Sequence, residues 1–315
     1  MVEEADVLSN LLPLLYDDVF YTAMKSSRVR FAGAASPERV ARSTDRARGG
    51  SVPAVLLALL LALLVAATVY VFAAHLYPAP PPITSAAVTV DRQYDLTLYV
   101  TGTIFILAQL GLAYAVVRFR DRGQRAHFTH GNTALEIVWT SLTILVFLLL
   151  GILGRKAWAD VRLTPPAPDA IQVEVTTNQF VFTFRYPGMD GKFGMLDSSL
   201  VNAPAGNPLG LDPNDSAGRD DIVVPELTVP VDHPIELLLR SQDVIHNFFV
   251  RELRLQQDSV PGMVIPVHFA PNRIGQYEIV CTQLCGLGHY KMHSYLNVVS
   301  EPDFENFLKR QTAAQ

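Results

Sequence analysis

The sequence contains three stretches without a charged residue, each of them long enough to cross a lipid bilayer. They cover residues 55–74, 96–117 and 137–154. A transmembrane helix needs about 20 mostly apolar residues, whereas a helix in a soluble core is seldom that long without a charge. The sequence therefore predicts a membrane protein with three transmembrane α-helices, of which the last two form a hairpin over residues 95–155.

Basic residues alternate between the segments that flank these stretches. Seven lie between positions 25 and 48, one lies between 75 and 95, and four lie between 118 and 133. Because positively charged segments stay in the cytoplasm, this pattern places the N-terminus inside the cell and everything after residue 154 outside. Arg155 and Lys156 depart from the rule, and we interpret them as reaching toward the membrane interface.

The first apolar stretch allows two interpretations. We expect residues 51–76 to form a retained transmembrane anchor that follows a basic cytoplasmic tail over residues 1–50. The alternative is an export signal that is cleaved near Ala73 or Ala74. The anchor is favoured because about 50 residues precede the stretch, which is long for the basic region of a signal peptide.

The character of the sequence changes after a proline-rich segment at residues 164–168. Proline cannot continue a helix, and the sequence beyond it consists of short runs of β-branched and aromatic residues separated by turn residues. Such a pattern predicts a β-sandwich or a small barrel, which we assign to an exported domain at residues 160–315. The runs lie at 171–176, 180–186, 221–229, 234–240, 245–250, 264–270, 276–281 and 294–299, with a surface loop predicted at 189–219 and a helix at 302–311.

The charge of the chain indicates which kinds of molecule it can bind. Charged residues make up only 17% of the sequence and the net charge is −5, which argues against a soluble protein that binds nucleic acid. Residues 160–315 contain 19 acidic and 11 basic residues. An acidic surface attracts basic partners, although a charged surface also serves solubility alone.

The side chains best suited to bind a metal lie near the end of the chain. Cys281, Cys285, His289 and Met292 follow one another at spacings of four, four and three residues, and His246 lies in an earlier strand-like run. Thiolate and thioether are soft ligands that select copper, and imidazole also suits copper. A site with two thiolates instead of one can hold two copper ions bridged by sulfur.

Two other uses of these residues are open. The cysteines could form a disulfide, since the domain is predicted to lie in an oxidising compartment. They could also bind zinc with two histidines, although a thioether does not suit zinc. We interpret the remaining histidines at positions 233, 268 and 293 as surface residues, because metal ligands need convergent partners.

The pattern C-x-x-x-C-x-x-x-H-x-x-M at residues 281–292, preceded by DVIH at 243–246, resembles the copper domain of cytochrome c oxidase subunit II. Three other segments resemble the same family and occur in the same order: HGNTALEIVWT at 130–140, TTNQFVFTFRYP at 176–187 and DSVPGM at 258–263. The resemblance extends over residues 95–310. It implies that residues 160–315 form an all-β, cupredoxin-like Greek-key domain.

The resemblance also implies a function. In this family a dinuclear copper centre, CuA, accepts electrons from an exported c-type cytochrome or cupredoxin and passes them to haem in subunit I, where oxygen is reduced to water and protons are translocated. The chain would then lie in the bacterial plasma membrane with its copper domain in the periplasm. The copper ligands of the family correspond to His246, Cys281, Cys285, His289, Met292 and the backbone carbonyl of Gln283.

The resemblance implies functional roles for three further positions. Glu136 corresponds to a glutamate at the entrance of a proton pathway, although a carboxylate at a membrane boundary can also be a plain helix cap. Phe180 replaces a tryptophan that receives the electron, and the alternative is an ordinary strand residue. Gln283 replaces a glutamate that binds Mg²⁺ or Mn²⁺ between subunits. Because a neutral amide is a weaker ligand for such ions, we expect that site to be weak or absent.

Two alternative functions fit the same sequence. The chain could be the CuA subunit of a nitric oxide reductase, which differs in its partner subunit, or a membrane-tethered copper-binding or copper-delivery protein, which needs no fixed dinuclear geometry. The sequence has no C-x-x-C-H motif for covalently bound haem, so we expect no haem on this chain. We expect its partners to be the other oxidase subunits, membrane lipid and an electron donor, and no nucleic acid.

Overall fold

The structure of the protein is a computed structural model that describes residues 37–74, 76, 78–122 and 131–313, with side chains described from residue 52. Most of the expected cytoplasmic tail, residues 1–36, lies outside the described residues. The described residues contain three long helices: α1 (Pro37–Ala73), α2 (Ser85–Arg118) and α3 (Thr133–Arg162).

Each of these helices contains a segment that is long and apolar enough to cross a membrane. Hardly any side chain in those segments is buried within the chain, as expected for helices that face lipid or other subunits. The prediction of three transmembrane helices is confirmed. The helices are longer than the uncharged stretches because they continue into charged residues: α1 and α2 begin well before their uncharged stretches, and α3 ends only at Arg162, just before the proline-rich segment.

The described residues form two compact units. The smaller unit contains α1 up to Leu63 and the end of α2 from Leu110 onward. The larger unit contains the remaining parts of α1 and α2, all of α3 and everything that follows it. Its last element is a short helix, α4 (Glu301–Ala313).

The larger unit contains a β-sandwich of two five-stranded sheets. The first sheet has the order β3 (Ile222–Val224), β2 (Val181–Tyr186), β1 (Ile171–Asn178), β5 (Ile235–Ser241) and β8 (Ile265–Phe269). The second sheet has the order β4 (Leu227–Pro230), β10 (His293–Val299), β9 (Gly275–Val280), β6 (His246–Val250) and β7 (Leu255–Ser259). Strand β1 pairs in parallel with β5, and β4 with β10. Because neighbours in each sheet are often distant in the chain, the connections cross between sheets, as in a Greek key.

Apolar side chains from both sheets meet in one core. Along β5, every second residue is buried, namely Ile235, Leu237 and Leu239, because successive strand residues point to opposite faces. The rings of Phe182 on β2 and Phe248 on β6 meet edge to face with their centroids 6.3 Å apart. This packing fixes β6, which carries one of the candidate metal ligands.

The structure differs from the predicted strand pattern in two places. The run 221–229 forms two strands, β3 and β4, in different sheets, because the chain crosses from one sheet to the other at Pro225. Strand β7 was not predicted, because its sequence LQQDS is mostly polar and lacks the alternation of a half-buried strand. It forms at the edge of the second sheet, where it pairs with β6.

A network of buried charges connects β1 and β2 to the surface loop that follows β2. Arg185 is almost completely buried and donates hydrogen bonds to the carboxylates of Glu174 and Asp221 and to the carbonyl of Gly194. Arg240 adds a second ion pair to Glu174 at 2.9 Å. Burial raises the pKa of Asp221, although Arg185 favours its ionised form. The loop therefore covers a face of the sheet with paired charges.

The segment between α1 and α2 also packs on the β-domain. Ile83 is fully buried and belongs to the domain core, and its backbone N–H donates to the carbonyl of Glu252 at 3.1 Å. Arg254 donates two hydrogen bonds to the carboxylate of Asp91 on α2, at 2.7 and 3.0 Å. On α3, Arg162 donates to the side chain of Gln257 at 3.0 Å. The base of the domain is thus attached to the outer ends of α2 and α3.

Candidate metal centre

The sequence-predicted metal ligands converge at one end of the β-sandwich. His246 begins β6, and the other candidates lie on the loop that joins β9 to β10. One ligand atom from each of His246, Cys281 and Cys285 falls within a cluster no wider than 4.8 Å, and all three residues are buried. The strand fixes one ligand while the loop supplies the others, so residues 35 or more positions apart form one site.

The orientation of His246 suits metal binding. Its Nε2–H donates to Oδ1 of Asp243 at 2.8 Å, and its Nδ1 is buried without a hydrogen-bond partner among the described residues. A buried nitrogen without a partner is costly, whereas a metal ligand needs a free lone pair. A carboxylate that holds the second imidazole nitrogen is the usual partner of a histidine ligand. Asp243 was not identified from the sequence as part of the site.

The sulfur atoms of the loop lie close together. The Sγ atoms of Cys281 and Cys285 are 3.9 Å apart, far beyond the length of about 2.05 Å for a disulfide, and both cysteines are free. Sγ of Cys285 is also 3.5 Å from Nδ1 of His289 and 3.9 Å from Sδ of Met292. The backbone carbonyl of Gln283 lies 3.2 Å from Sγ of Cys281. All six sequence-predicted positions therefore meet.

The electrostatics of the thiols depend on what they bind. Burial, together with the neighbouring Cys281 thiol, raises the pKa of Cys285 to about 11. A thiol with so high a pKa stays protonated at neutral pH without a cation, so Cys285 is then neutral. A bound cation reverses this preference, because it stabilises thiolates and releases their protons. The donor set of thiols, imidazoles and thioether is soft and fits copper.

Hydrogen bonds hold the ligand loop in shape. The N–H of Cys281 donates to the carbonyl of Met292 at 3.2 Å, which closes the loop at its base. Gln179, at the turn between β1 and β2, donates its side-chain amide to the carbonyl of Cys285 at 2.6 Å and its backbone N–H to Asp243 at 2.7 Å. Gln179 therefore connects the ligand loop to the residue that orients His246.

The ring of Phe180 packs directly on the ligand loop. Gly288 is buried, and a methyl group at this position would overlap the Phe180 ring. Gly286 has a φ of 132°, a conformation that favours glycine, and a side chain there would also meet the ring. The two glycines therefore allow close contact between the loop and Phe180, which is itself only partly buried.

A polar network on the other side of the loop was not predicted from the sequence. The buried side chain of Asn247 donates to Asp258 at 2.6 Å and accepts a hydrogen bond from Thr282 at 2.6 Å. Thr282 also accepts from Gln256 at 3.2 Å. The network joins β6 and β7 to the loop beside Cys281. The only signal for it was Asp258, in the DSVPGM segment.

The other singled-out residues lie outside this cluster. His233 and His293 lie near Glu301 and Glu278, at 3.5 and 3.8 Å, and His268 lies on β8. Glu136 is exposed in the first turn of α3, which Asn132 caps by accepting the N–H of Leu135.

Comparisons with known proteins agree with this chemistry. The family model described as cytochrome C oxidase subunit II, periplasmic domain, matches residues 171–301, and that of the subunit II transmembrane domain matches residues 74–154. The alternative cytochrome c oxidase subunit 2 of Bradyrhizobium diazoefficiens is 36% identical over 228 residues, which cover 70% of this chain and 80% of that protein. Cytochrome c oxidase subunit 2 of Cereibacter sphaeroides is 29% identical over 68% of this chain and 73% of its own length.

One solved structure is similar to this chain at a lower sequence identity. The periplasmic domain of subunit II of cytochrome oxidase (CoxB) of Bradyrhizobium japonicum matches at 22% identity with a TM-score of 0.36, over 48% of this chain and 99% of that chain. The curated relatives are named as oxidase subunits, so the comparisons do not favour the nitric oxide reductase or the copper-delivery alternative. The transmembrane model matches the chain before the periplasmic model does, and the sequence predicts the membrane part and the β-domain in the same order. This chain belongs to the family of cytochrome c oxidase subunit II.

Proposed function

We propose that this chain is the electron-accepting subunit of a haem-copper oxidase and holds a dinuclear copper centre, CuA. As a member of its family, it is a copper-binding membrane protein with an extracytoplasmic domain, in a complex with other oxidase subunits. The observation that supports the proposal most is the convergence of a buried histidine with two free, buried cysteines. Electrons would pass from this centre to haem in subunit I, where oxygen is reduced to water and protons are translocated.

Each ligand position has a separate role in the proposal. The copper ions would be held by the side chains of His246, Cys281, Cys285, His289 and Met292 and by the carbonyl of Gln283. Two copper ions bridged by thiolates share one electron, so that little rearranges on oxidation and reduction. Asp243 orients the imidazole of His246. Because the protein supplies every ligand, the site has no position for a substrate and is suited to electron transfer.

Copper analysis and electron paramagnetic resonance of the purified full-length chain test this proposal. We expect two copper ions per chain and one unpaired electron spread over both, seen as more hyperfine lines than one copper nucleus gives. One localised copper ion would contradict the proposal, and so would a chain without copper whose Cys281 and Cys285 are joined as a disulfide.

The variant Asp243→Ala is expected to weaken copper binding by about 10- to 100-fold, the usual effect of removing the partner of a histidine ligand. Without the carboxylate, the imidazole of His246 is no longer held at Nε2, so its free Nδ1 loses its fixed orientation. Competition with a copper chelator measures the affinity. Asp190→Ala, which removes an exposed carboxylate from the surface loop, is the matched control. Equal copper affinity in the two variants would contradict the orienting role.

An exposed apolar surface surrounds the ligand loop and is suited to an electron donor. Leu284, Leu287 and Tyr290 on the loop are 77%, 98% and 86% exposed, and Val181 next to Phe180 is 50% exposed. Exposed apolar side chains at this density mark an interaction surface. We propose that an exported c-type cytochrome or cupredoxin docks here and that its electron reaches the copper through Phe180, whose ring contacts the loop.

The variant Phe180→Ala is expected to slow electron transfer from the donor by about tenfold, the scale of effect for an aromatic residue at the centre of a docking surface. Stopped-flow reduction of the oxidase by reduced cytochrome c measures this step. The copper spectrum should persist, because Phe180 is not a ligand. The neighbouring Thr183→Ala change on β2 is the control. A normal rate in Phe180→Ala would place the donor elsewhere.

The remaining positional assignments are also proposals. We propose a cytoplasmic tail at residues 1–50, an anchor at 51–76, a hairpin at 95–155 and an exported domain at 160–315, with the N-terminus in the cytoplasm. The basic residues before the first apolar stretch support this orientation. Glu136 lies at the opposite end of α3 from the β-domain, which suits the entrance of a proton pathway. Gln283 is exposed and neutral, and we propose that it leaves an interfacial Mg²⁺ or Mn²⁺ site weak or absent.

A further inference from the structure

A groove with a volume of about 300 Å³ lies between α2 and α3 at the ends that lead to the β-domain. Thr89, Arg92, Gln93 and Leu96 line it from α2, and Leu153, Lys156, Ala157 and Asp160 line it from α3. On each helix these residues recur at spacings of three or four and therefore form one face. We propose that this groove binds the phosphodiester group of a membrane phospholipid in the outer leaflet.

The residues that line the groove lie where the uncharged stretches end, at the predicted boundary of the membrane. Leu96 is the first residue of the second uncharged stretch, and Leu153 is next to the last residue of the third. Arg92 and Lys156 each lie about one helical turn from these leucines, on the side of the β-domain. The leucines are therefore at the level of acyl chains and the two basic side chains are at the level of phosphate groups.

The charge of the groove suits one phosphodiester. Arg92 and Lys156 contribute two positive charges and Asp160 contributes one negative charge, which leaves a single positive charge for a single phosphate. Within the part of the chain that the structure describes, no ion pair involves Arg92 or Lys156. The nearby Asp91 is already paired with Arg254. Guanidinium and ammonium groups bind phosphate oxygens by strong, charge-assisted hydrogen bonds.

The location of these basic residues gives an independent reason for a ligand. Lysine and arginine are depleted on the outer side of membrane helices, yet Arg92 and Lys156 both line this groove. The apolar floor formed by Leu96 and Leu153 favours a lipid over a free phosphate ion. Basic pockets between transmembrane helices on the cytoplasmic side bind lipid headgroups, and this groove offers the same chemistry on the opposite side.

Native mass spectrometry of the purified oxidase complex tests the proposal. In the double variant Arg92→Gln with Lys156→Gln, we expect the retention of one phospholipid per complex to fall by about fivefold for each charge removed. Arg155→Gln is the matched control, because Arg155 is a neighbouring basic residue that does not line the groove. Unchanged lipid retention in the double variant, or equal loss in the control, would overturn the proposal.

A second measurement identifies the occupant directly and does not depend on the stability of the double variant. In Ala157→p-benzoylphenylalanine, the photoreactive ring replaces a methyl group inside the groove. We expect illumination of the complex to add the mass of a phospholipid to this chain. A crosslink to a polypeptide of another subunit would show that the groove is a protein interface and would overturn the proposal, as would the absence of any lipid adduct.

Discussion

The variant Cys285→Ser is expected to lose the dinuclear copper signal and to reduce oxygen consumption with cytochrome c as donor by more than about 100-fold. The sulfur of Cys285 lies within 3.9 Å of three other candidate ligands, those of Cys281, His289 and Met292. A serine hydroxyl is a harder ligand that does not bridge copper as a thiolate does. Since loss of an outer partner alone lowers metal affinity by about 10- to 100-fold, loss of a central ligand has a larger effect.

Electron paramagnetic resonance and steady-state oxygen uptake of the purified complex measure the two effects. Lys291→Ser introduces the same residue into the same loop at an exposed position and should keep the signal. The haem absorption of the complex shows whether subunit I remains assembled in both variants. A dinuclear signal that survives in Cys285→Ser would refute the role of this sulfur as a bridging ligand.

The variant Arg185→Met is expected to destabilise the β-domain by about 3–5 kcal/mol, the usual effect of removing one partner from a buried ion network. Arg185 is 1% exposed and lies between Glu174 and Asp221, both 2% exposed. Without the guanidinium, two carboxylates remain buried with less compensation, and the loop loses the hydrogen bond from Arg185 to the carbonyl of Gly194. For a domain of this size we expect Tm to fall on the order of 10 °C.

Thermal unfolding of the purified chain, followed by circular dichroism, measures this effect. Arg251→Met is the matched control, since Arg251 is 61% exposed in its side chain and forms only a long contact of 3.9 Å with Glu252. Exposed ion pairs contribute little to stability, so its Tm should hardly change. A fall in Tm that is equally small in both variants would show that the buried network is not needed for stability.

The ligand positions could be predicted from the sequence because their chemistry is unusual and their spacing is short. Two thiols, an imidazole and a thioether within twelve residues have few uses other than soft-metal binding, and the structure brings their atoms together. The residues that orient them could not be predicted in this way. Asp243 and Gln179 are common polar residues, and their roles arise only because the turn after β1 approaches the ligand loop.

The strands were predictable where one face is buried and the other is exposed, as in β5. Strand β1 behaves differently, since five consecutive residues are buried. Its second face is covered by the loop after β2, and the ring of Phe193 from that loop lies 4.9 Å from the guanidinium of Arg185. A charged residue in a sequence is normally read as solvent-exposed, so neither the buried charges nor the covering loop could be foreseen.

The attachment of the β-domain to α2 and α3 affects the kinetics of the complex. Ile83 is inserted into the domain core, and Arg254 and Arg162 tie the base of the domain to the two helices. A redox centre on such a base stays at a constant height above the bilayer, and it cannot swing between its donor and its acceptor as a carrier on a flexible tether does. The electron donor must therefore diffuse to a copper site that does not move relative to the membrane. We expect electron transfer from this site to subunit I to follow a single exponential whose rate is insensitive to solvent viscosity.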